Sequence, residues 1–178
     1  WSFDSRNRTL FADRGVRHAL SLSYTVPGSD VEYWVANYNY LQYIPIFGPF
    51  TLALDAELGY GMDIGDTTAL PPYRQFFAGG PETVRGYEAS RLGPKDQWGN
   101  PYGGNMKVVG RAEIILPMPA KFRTSARASV FYDMGNVFQT GNRYTFLGRD
   151  GVTPVDYGFE YDKLKHSAGI SVQWLAPL

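Results

Sequence analysis

Hydrophobic and polar residues alternate along several segments of this chain, which is the pattern of β-strands whose two faces meet different surroundings. In segment 50–62, apolar side chains occupy every second position, and Asp55 and Glu57 fall on the opposite face. The same alternation predicts strands over 19–26, 106–116, 123–134 and 164–176, a less regular strand over 33–43, and a short one at residues 1–4. The chain is therefore predicted to be all-β.

The length of these strands and the chemistry of their faces favour a membrane barrel. Several alternating runs span about 11 to 13 residues, whereas strands of soluble proteins usually span about 5 or 6 and tilted transmembrane strands about 9 to 11. Alternation alone also suits a soluble barrel with charged side chains in water. Small residues on the apolar faces and aromatic residues near the strand ends favour lipid instead. These aromatic residues are Tyr24, Tyr60, Tyr132 and Trp174.

The connections between the predicted strands are of two kinds. Links 43–50 and 117–122 are short, whereas 71–105 and 139–163 are long, which is typical of barrels with periplasmic turns and extracellular loops. We predict one domain, 1–178, forming part of a transmembrane antiparallel β-barrel, with about seven strands of a larger barrel. Loop 72–105 carries apolar side chains and glycines, so we expect it to fold into the lumen, and we expect loop 139–163 to be extracellular.

Composition removes several other classes of protein. Lys and Arg total 17 and Asp and Glu total 17, so the basic surface that usually binds nucleic acid is not expected. The chain has no cysteine, which excludes disulfides and cysteine-based zinc sites. An enzyme is a rival interpretation, because four carboxylates on the polar faces could serve acid–base chemistry: Asp55, Glu57, Glu113 and Asp133. Charged residues are common in barrel lumens, and the only histidines are His18 and His166. We therefore expect no enzyme and no cofactor.

Several short motifs carry a family resemblance. Residues 84–87, Val84-Arg85-Gly86-Tyr87, resemble the Val-Arg-Gly-aromatic motif of the BamA superfamily of outer-membrane barrels, and Gly-Pro-Lys follows at 93–95. Segment 131–137, FYDMGNV, is similar to the family's aromatic-x-Asp-x-Gly strand motif, and 167–170 and 173–178 resemble its next strand. The motifs occur in the family's order. Their combination favours the assembly-insertase branch over two-partner secretion or TamA-type transporters of the same superfamily.

The resemblance implies a barrel of about sixteen strands preceded by periplasmic POTRA domains, of which this chain would be strands eight to fourteen. It implies an insertase in the bacterial outer membrane that folds and inserts β-barrel proteins. The implied partners are outer-membrane lipid, unfolded outer-membrane proteins, and accessory lipoproteins that bind through the POTRA domains. A passive porin-like channel is the alternative from another class.

Arg85 carries a positive charge on a loop that is expected to enter the lumen. An arginine on a loop that enters a lumen requires carboxylates, and Glu113 and Asp133 face the lumen from neighbouring predicted strands. The resemblance implies the same pairing for the motif arginine. The alternative is that Arg85 is an ordinary solvated loop residue. We predict that Arg85 lies within ion-pair distance of Glu113, Asp133 or both.

Overall fold

The computed structural model describes residues 1–122, 125–141 and 145–175. Within those ranges, no helix is long and apolar enough to cross a membrane. Short 3-10 turns cover Pro72–Arg74 and Tyr161–Lys163. The strands are β1 (Ser2–Asp4), β2 (Gly15–Tyr24), β3 (Tyr33–Phe47), β4 (Phe50–Asp63), β5 (Met106–Ile115), β6 (Ala126–Phe138), β7 (Phe146–Leu147), β8 (Pro154–Val155) and β9 (Lys165–Trp174).

The long strands form one antiparallel sheet of seven strands in the order β1-β2-β3-β4-β5-β6-β9. Each strand pairs with the next along the sheet, and β1 and β9 form the two edges. The small β7–β8 hairpin lies in the connection between β6 and β9. This open, consecutive, antiparallel sheet confirms the predicted fold class, a partial barrel.

Several strand ends differ from the prediction. β2 begins at Gly15 because its first residues pair with the end of β3. β3 continues through Pro45 to Phe47, and the sheet accommodates the proline, which has no N–H to donate, at a register shift between Pro45 and Phe47. β6 extends to Phe138, which pairs with Met106. The predicted strand residues 123, 124 and 176 lie outside the described residues.

The two faces of the sheet have opposite surroundings. On the outer face, Leu22 and Ile170 are 71% and 76% exposed. On the inner face, Val109, Asp133 and Val137 are buried. Apolar side chains that point away from the covered face are typical of strands in contact with lipid, so the predicted assignment of the faces is confirmed.

The core lies between the inner face and the connection 64–105. Its buried residues come from both sides: Ala78, Val84 and Leu92 from the connection, and Val109 and Val137 from β5 and β6. A second cluster joins Tyr33 and Val35 of β3 to Leu70, and Phe76 packs against both clusters. The connection is therefore packed on the sheet and presents its motif residues to β5 and β6.

Candidate functional site

Arg85 is bound through its whole guanidinium group to the two carboxylates predicted from the sequence. Its Nε and Nη2 donate to Oδ2 and Oδ1 of Asp133 at 2.7 and 2.6 Å, and its Nη1 lies 2.6 Å from Oε1 of Glu113. Its backbone N–H also donates to Asp133, at 3.0 Å. The planar fork of an arginine suits this two-carboxylate arrangement, which a lysine could not reproduce.

An aromatic ring forms the floor of this site. The guanidinium carbon of Arg85 lies 3.6 Å from the centroid of the Phe131 ring, within the range of a cation–π interaction. Phe131 is paired with Gly169 on β9. A Cβ at Gly169 would lie 2.9 Å from Cζ of Phe131, so the glycine leaves the space that the ring occupies. Phe131 and Asp133 lie on one face of β6 by parity, but Phe131 was not predicted as a site residue.

Burial and the neighbouring carboxylates have opposite effects on the pKa of Arg85. Burial opposes its positive charge, but the hydrogen bonds to Asp133 and the nearby charge of Glu113 prevail and raise the pKa of Arg85 above its ordinary value. The Asp133 side chain has no exposed area. Glu113 accepts a further hydrogen bond from the Ser129 hydroxyl at 3.0 Å. The site is therefore a pre-formed ion cluster that joins the loop to β5 and β6.

The other motif residues attach the loop to the same part of the sheet. Val84 is fully buried in the core cluster with Val109 and Val137. Gly86 has φ +83°, a left-handed conformation that side-chain-bearing residues rarely adopt. The Tyr87 hydroxyl donates to the backbone carbonyl of His166 on β9 at 3.1 Å.

A second ion cluster lies beside the first on the inner face. Arg111 Nη2 lies 2.7 Å from Asp55 Oδ1 and 3.0 Å from Glu57 Oε1, and Lys107 lies 2.7 Å from Glu57. The Nη1 of Arg111 donates to the backbone carbonyl of Glu82 on the loop. Asp55 and Glu57, the candidate acid–base carboxylates, are thus engaged in ion pairs.

Both histidines lie on the outer face of the sheet. His18 is 2.8 Å from the Tyr38 hydroxyl, and His166 is 2.8 Å from the Tyr132 hydroxyl. The His166 and Tyr132 rings also stack. An interfacial position for His166, near the end of its strand, agrees with these contacts.

Comparison with known proteins gives a consistent result. Residues 1–178 match the Omp85 superfamily domain. The chain is 34% identical over 194 aligned residues to outer membrane protein assembly factor BamA of Neisseria meningitidis, covering 100% of this chain and 24% of that protein. It is 28% identical to the SAM50-like protein CG7639 of Drosophila melanogaster, covering 82% of this chain and 34% of that protein.

A solved structure has the same fold. The crystal structure of BamA from Haemophilus ducreyi lacking POTRA domains 1–3 matches with a TM-score of 0.86 and 29% identity, covering 99% of this chain and 35% of that one. The chain therefore spans about a quarter to a third of the length of these relatives.

Proposed function

Because this chain belongs to the Omp85 superfamily, whose domain matches it over residues 1–178, we propose that it is part of the barrel of an insertase in the bacterial outer membrane. The complete protein would fold β-barrel proteins and insert them into that membrane. Its substrates would be unfolded outer-membrane proteins, its surroundings outer-membrane lipid, and its further partners accessory lipoproteins bound outside this chain. We propose that it acts without cofactor and is not an enzyme.

The attachment of Arg85 to Asp133 and Glu113 is the observation that supports this proposal most directly. It joins the motif that resembles the superfamily's to the sheet, because the Arg85 guanidinium lies 2.6 Å from each of the two carboxylates. We propose that Val84, Arg85, Gly86 and Tyr87 hold the lumen loop 72–105 in the position that insertion requires. We also propose that loop 139–163 is extracellular.

A passive channel receives less support. The inner face of β5 and β6 is buried beneath the loop, with Val109 and Val137 each 1% exposed. A freely conducting pore needs an open polar lumen. The same packing is compatible with a transporter of the superfamily, and the experiment below separates that alternative from an insertase.

The test uses vesicles that contain the complete protein and a urea-unfolded test barrel. Folding of the test barrel, followed by heat-modifiable gel mobility, should be faster than in empty vesicles and should need no added nucleotide. Arg85→Ala should slow it several-fold. Arg91→Ala is the matched control, because Arg91 lies on the same loop and its contacts, an ion pair with the largely exposed Glu88 and a hydrogen bond to the Gly99 carbonyl, stay within that loop. Exposed ion pairs of this kind contribute little.

Two results would contradict the proposal. One is a folding rate equal to that of empty vesicles, which is the outcome expected of a transporter or a channel. The other is an absolute requirement for a nucleotide. Equal slowing by Arg85→Ala and Arg91→Ala would contradict the role assigned to the motif.

A further inference from the structure

Arg111 occupies a position on β5 from which it could pair in two directions. Its cross-strand neighbours are Asp55 on β4 and Asp133 on β6, both directly opposite in the register. Opposite charges at such positions attract each other across a sheet. The geometry of the strands alone therefore leaves the partner of Arg111 undecided.

Among the described residues, Arg111 forms its ion pairs with carboxylates of β4. Its Nε and Nη2 donate to Asp55 at 3.0 and 2.7 Å, and Nη2 also donates to Glu57 at 3.0 Å. Asp133, on the other side, is bound by Arg85 of the loop. Arg111 thus pairs with the carboxylates of β4, one of which Lys107 also binds, and Arg85 pairs with those of β5 and β6.

The remaining nitrogen of Arg111 reaches the loop itself. Nη1 donates to the backbone carbonyl of Glu82, which precedes Arg85 by a few residues in the chain. The loop is therefore held from both sides. Arg85 extends from the loop to carboxylates of the sheet, and Arg111 extends from the sheet to a carbonyl of the loop.

We propose that Arg111 is a positioning residue for the loop, and that Asp55 and Glu57 orient it for this task. Bound to β4, Arg111 leaves Asp133 available to Arg85 and fixes the backbone at Glu82. Released from β4, it would have Asp133 as its nearest opposite neighbour and would compete with Arg85. Only the consequence for insertion rests on the proposed function.

The proposal can be tested with a spin label on the loop of the complete protein. The chain contains no cysteine, and the side chain of Glu82 is exposed, so Glu82→Cys gives a labelling position that keeps the backbone carbonyl. Arg111→Gln should make the nitroxide at 82 more mobile in the electron paramagnetic resonance spectrum. Arg111→Lys should rescue only part of the immobilisation, because an ammonium cannot hold the carboxylates and the carbonyl in one planar fork.

A second variant tests the orienting carboxylates with Arg111 intact. Asp55→Asn combined with Glu57→Gln should also raise the mobility of the label. If Arg111→Gln does not give a folded, heat-modifiable barrel, this pair and Arg111→Lys decide the question. Arg85→Ala serves as the positive control for a loosened loop.

Arg127→Gln is the matched negative control. Arg127 is also an inner-face arginine that donates to a loop carbonyl, that of Ala12 at 2.6 Å, but on a different connection. It should leave the label at 82 immobilised. An unchanged spectrum in folded Arg111→Gln, or equal mobility in Arg127→Gln, would overturn the proposal.

The spectra and the folding assay test separate claims. If the wild-type protein does not accelerate folding, the proposed function is wrong, and the spectra still decide the role of Arg111. If the wild-type protein does accelerate folding, Arg111→Gln should slow it several-fold and Arg111→Lys should restore part of the rate. An immobile label in Arg111→Gln with normal insertion would refute the positioning role alone.

Discussion

The two long connections of the sheet, 64–105 and 139–164, are held in different ways. The first places Ala78, Val84 and Leu92 in the core. In the described part of the second, 139–141 and 145–164, no residue is buried, although Phe159 packs edge-on against Phe138. Lys163 binds Asp156 and Glu160, whose side chains are 74% and 50% exposed.

The difference shows what allows a connection to pack against the inner face of the sheet. Both segments contain aromatic residues and glycines, so composition does not separate them. The first segment also meets a matching surface. Val109 and Val137 receive its apolar side chains, and Asp133 and Glu113 receive its arginine. We expect substitutions of the same kind to cost much more in 64–105 than in 139–164, and the first three predictions below pair one substitution from each connection.

The largest difference should come from removing a cation. Arg85→Ala leaves the fully buried Asp133 without its partner, which should lower the free energy of unfolding by about 3–5 kcal/mol. Lys163→Ala removes exposed ion pairs, which contribute little to stability, so its effect should be much smaller. Urea unfolding of the complete protein in vesicles measures both. Similar losses from the two variants would show that the Arg85 cluster is hydrated and weak.

A methyl group added to a glycine should give the next largest difference. Gly93 and Gly151 both have positive φ, +96° and +70°, so alanine strains either backbone by about 1–2 kcal/mol. A Cβ at Gly93 would also lie 2.7 Å from Cβ of Val137, whereas nothing lies within 4 Å of one at Gly151. Gly93→Ala should therefore cost about 3 kcal/mol in total. The same unfolding experiment applies, and equal costs would mean that the loop can move away from β6 freely.

Truncation of a valine should have a smaller effect. Val84 is 0% exposed and Val152 is 77% exposed. Val84→Ala removes buried methyl groups and should cost about 2 kcal/mol, and Val152→Ala should be close to neutral. Cleavage by a protease of low specificity provides a second measurement, because Val84→Ala should expose the loop around residue 84. If the loop of Val84→Ala resists cleavage, burial of the Val84 side chain is not what stabilises the loop.

The regular features of this molecule were predictable because they repeat along the chain. Alternation over 50–62 identified β4 and its faces, and parity placed Glu113 and Asp133 on the face that Arg85 contacts. These inferences need only the period of a strand. The resemblance of residues 84–87 to the family motif then identified Arg85 as the loop residue that pairs with them.

The features that were not predicted depend on contacts between distant residues. Pro45 lies in the link 43–50 that was expected between two strands, but β3 continues past it, with one extra residue at position 46 opposite the step from Phe50 to Thr51 of β4. The β7–β8 hairpin has strands of two residues each, too short for any alternation to be seen. Arg111 has a carboxylate directly opposite it on each neighbouring strand, so its partner does not follow from the strand register.

The smallest predicted effect concerns pH and the connection 139–164. Asp150 accepts hydrogen bonds from the Thr153 hydroxyl and from the backbone N–H groups of Thr153 and Val152. The hydroxyl is the main cause that lowers the pKa of Asp150 from 3.8 to about 2. Because the folded pKa is depressed, this contribution to the turn is complete above the ordinary pKa. It is lost as the pH falls through about 2.

Thr153→Val removes the hydroxyl and keeps the shape of the side chain, so the Asp150 midpoint should rise towards 3.8. The remaining backbone donors should keep it below that value. Carboxyl chemical shifts in a nuclear magnetic resonance titration of the complete protein give the midpoint. Asp156, which is held by Lys163 and the Gly158 N–H, is the internal control and should titrate as before. An Asp150 midpoint that does not move in Thr153→Val would show that the backbone donors alone hold this turn.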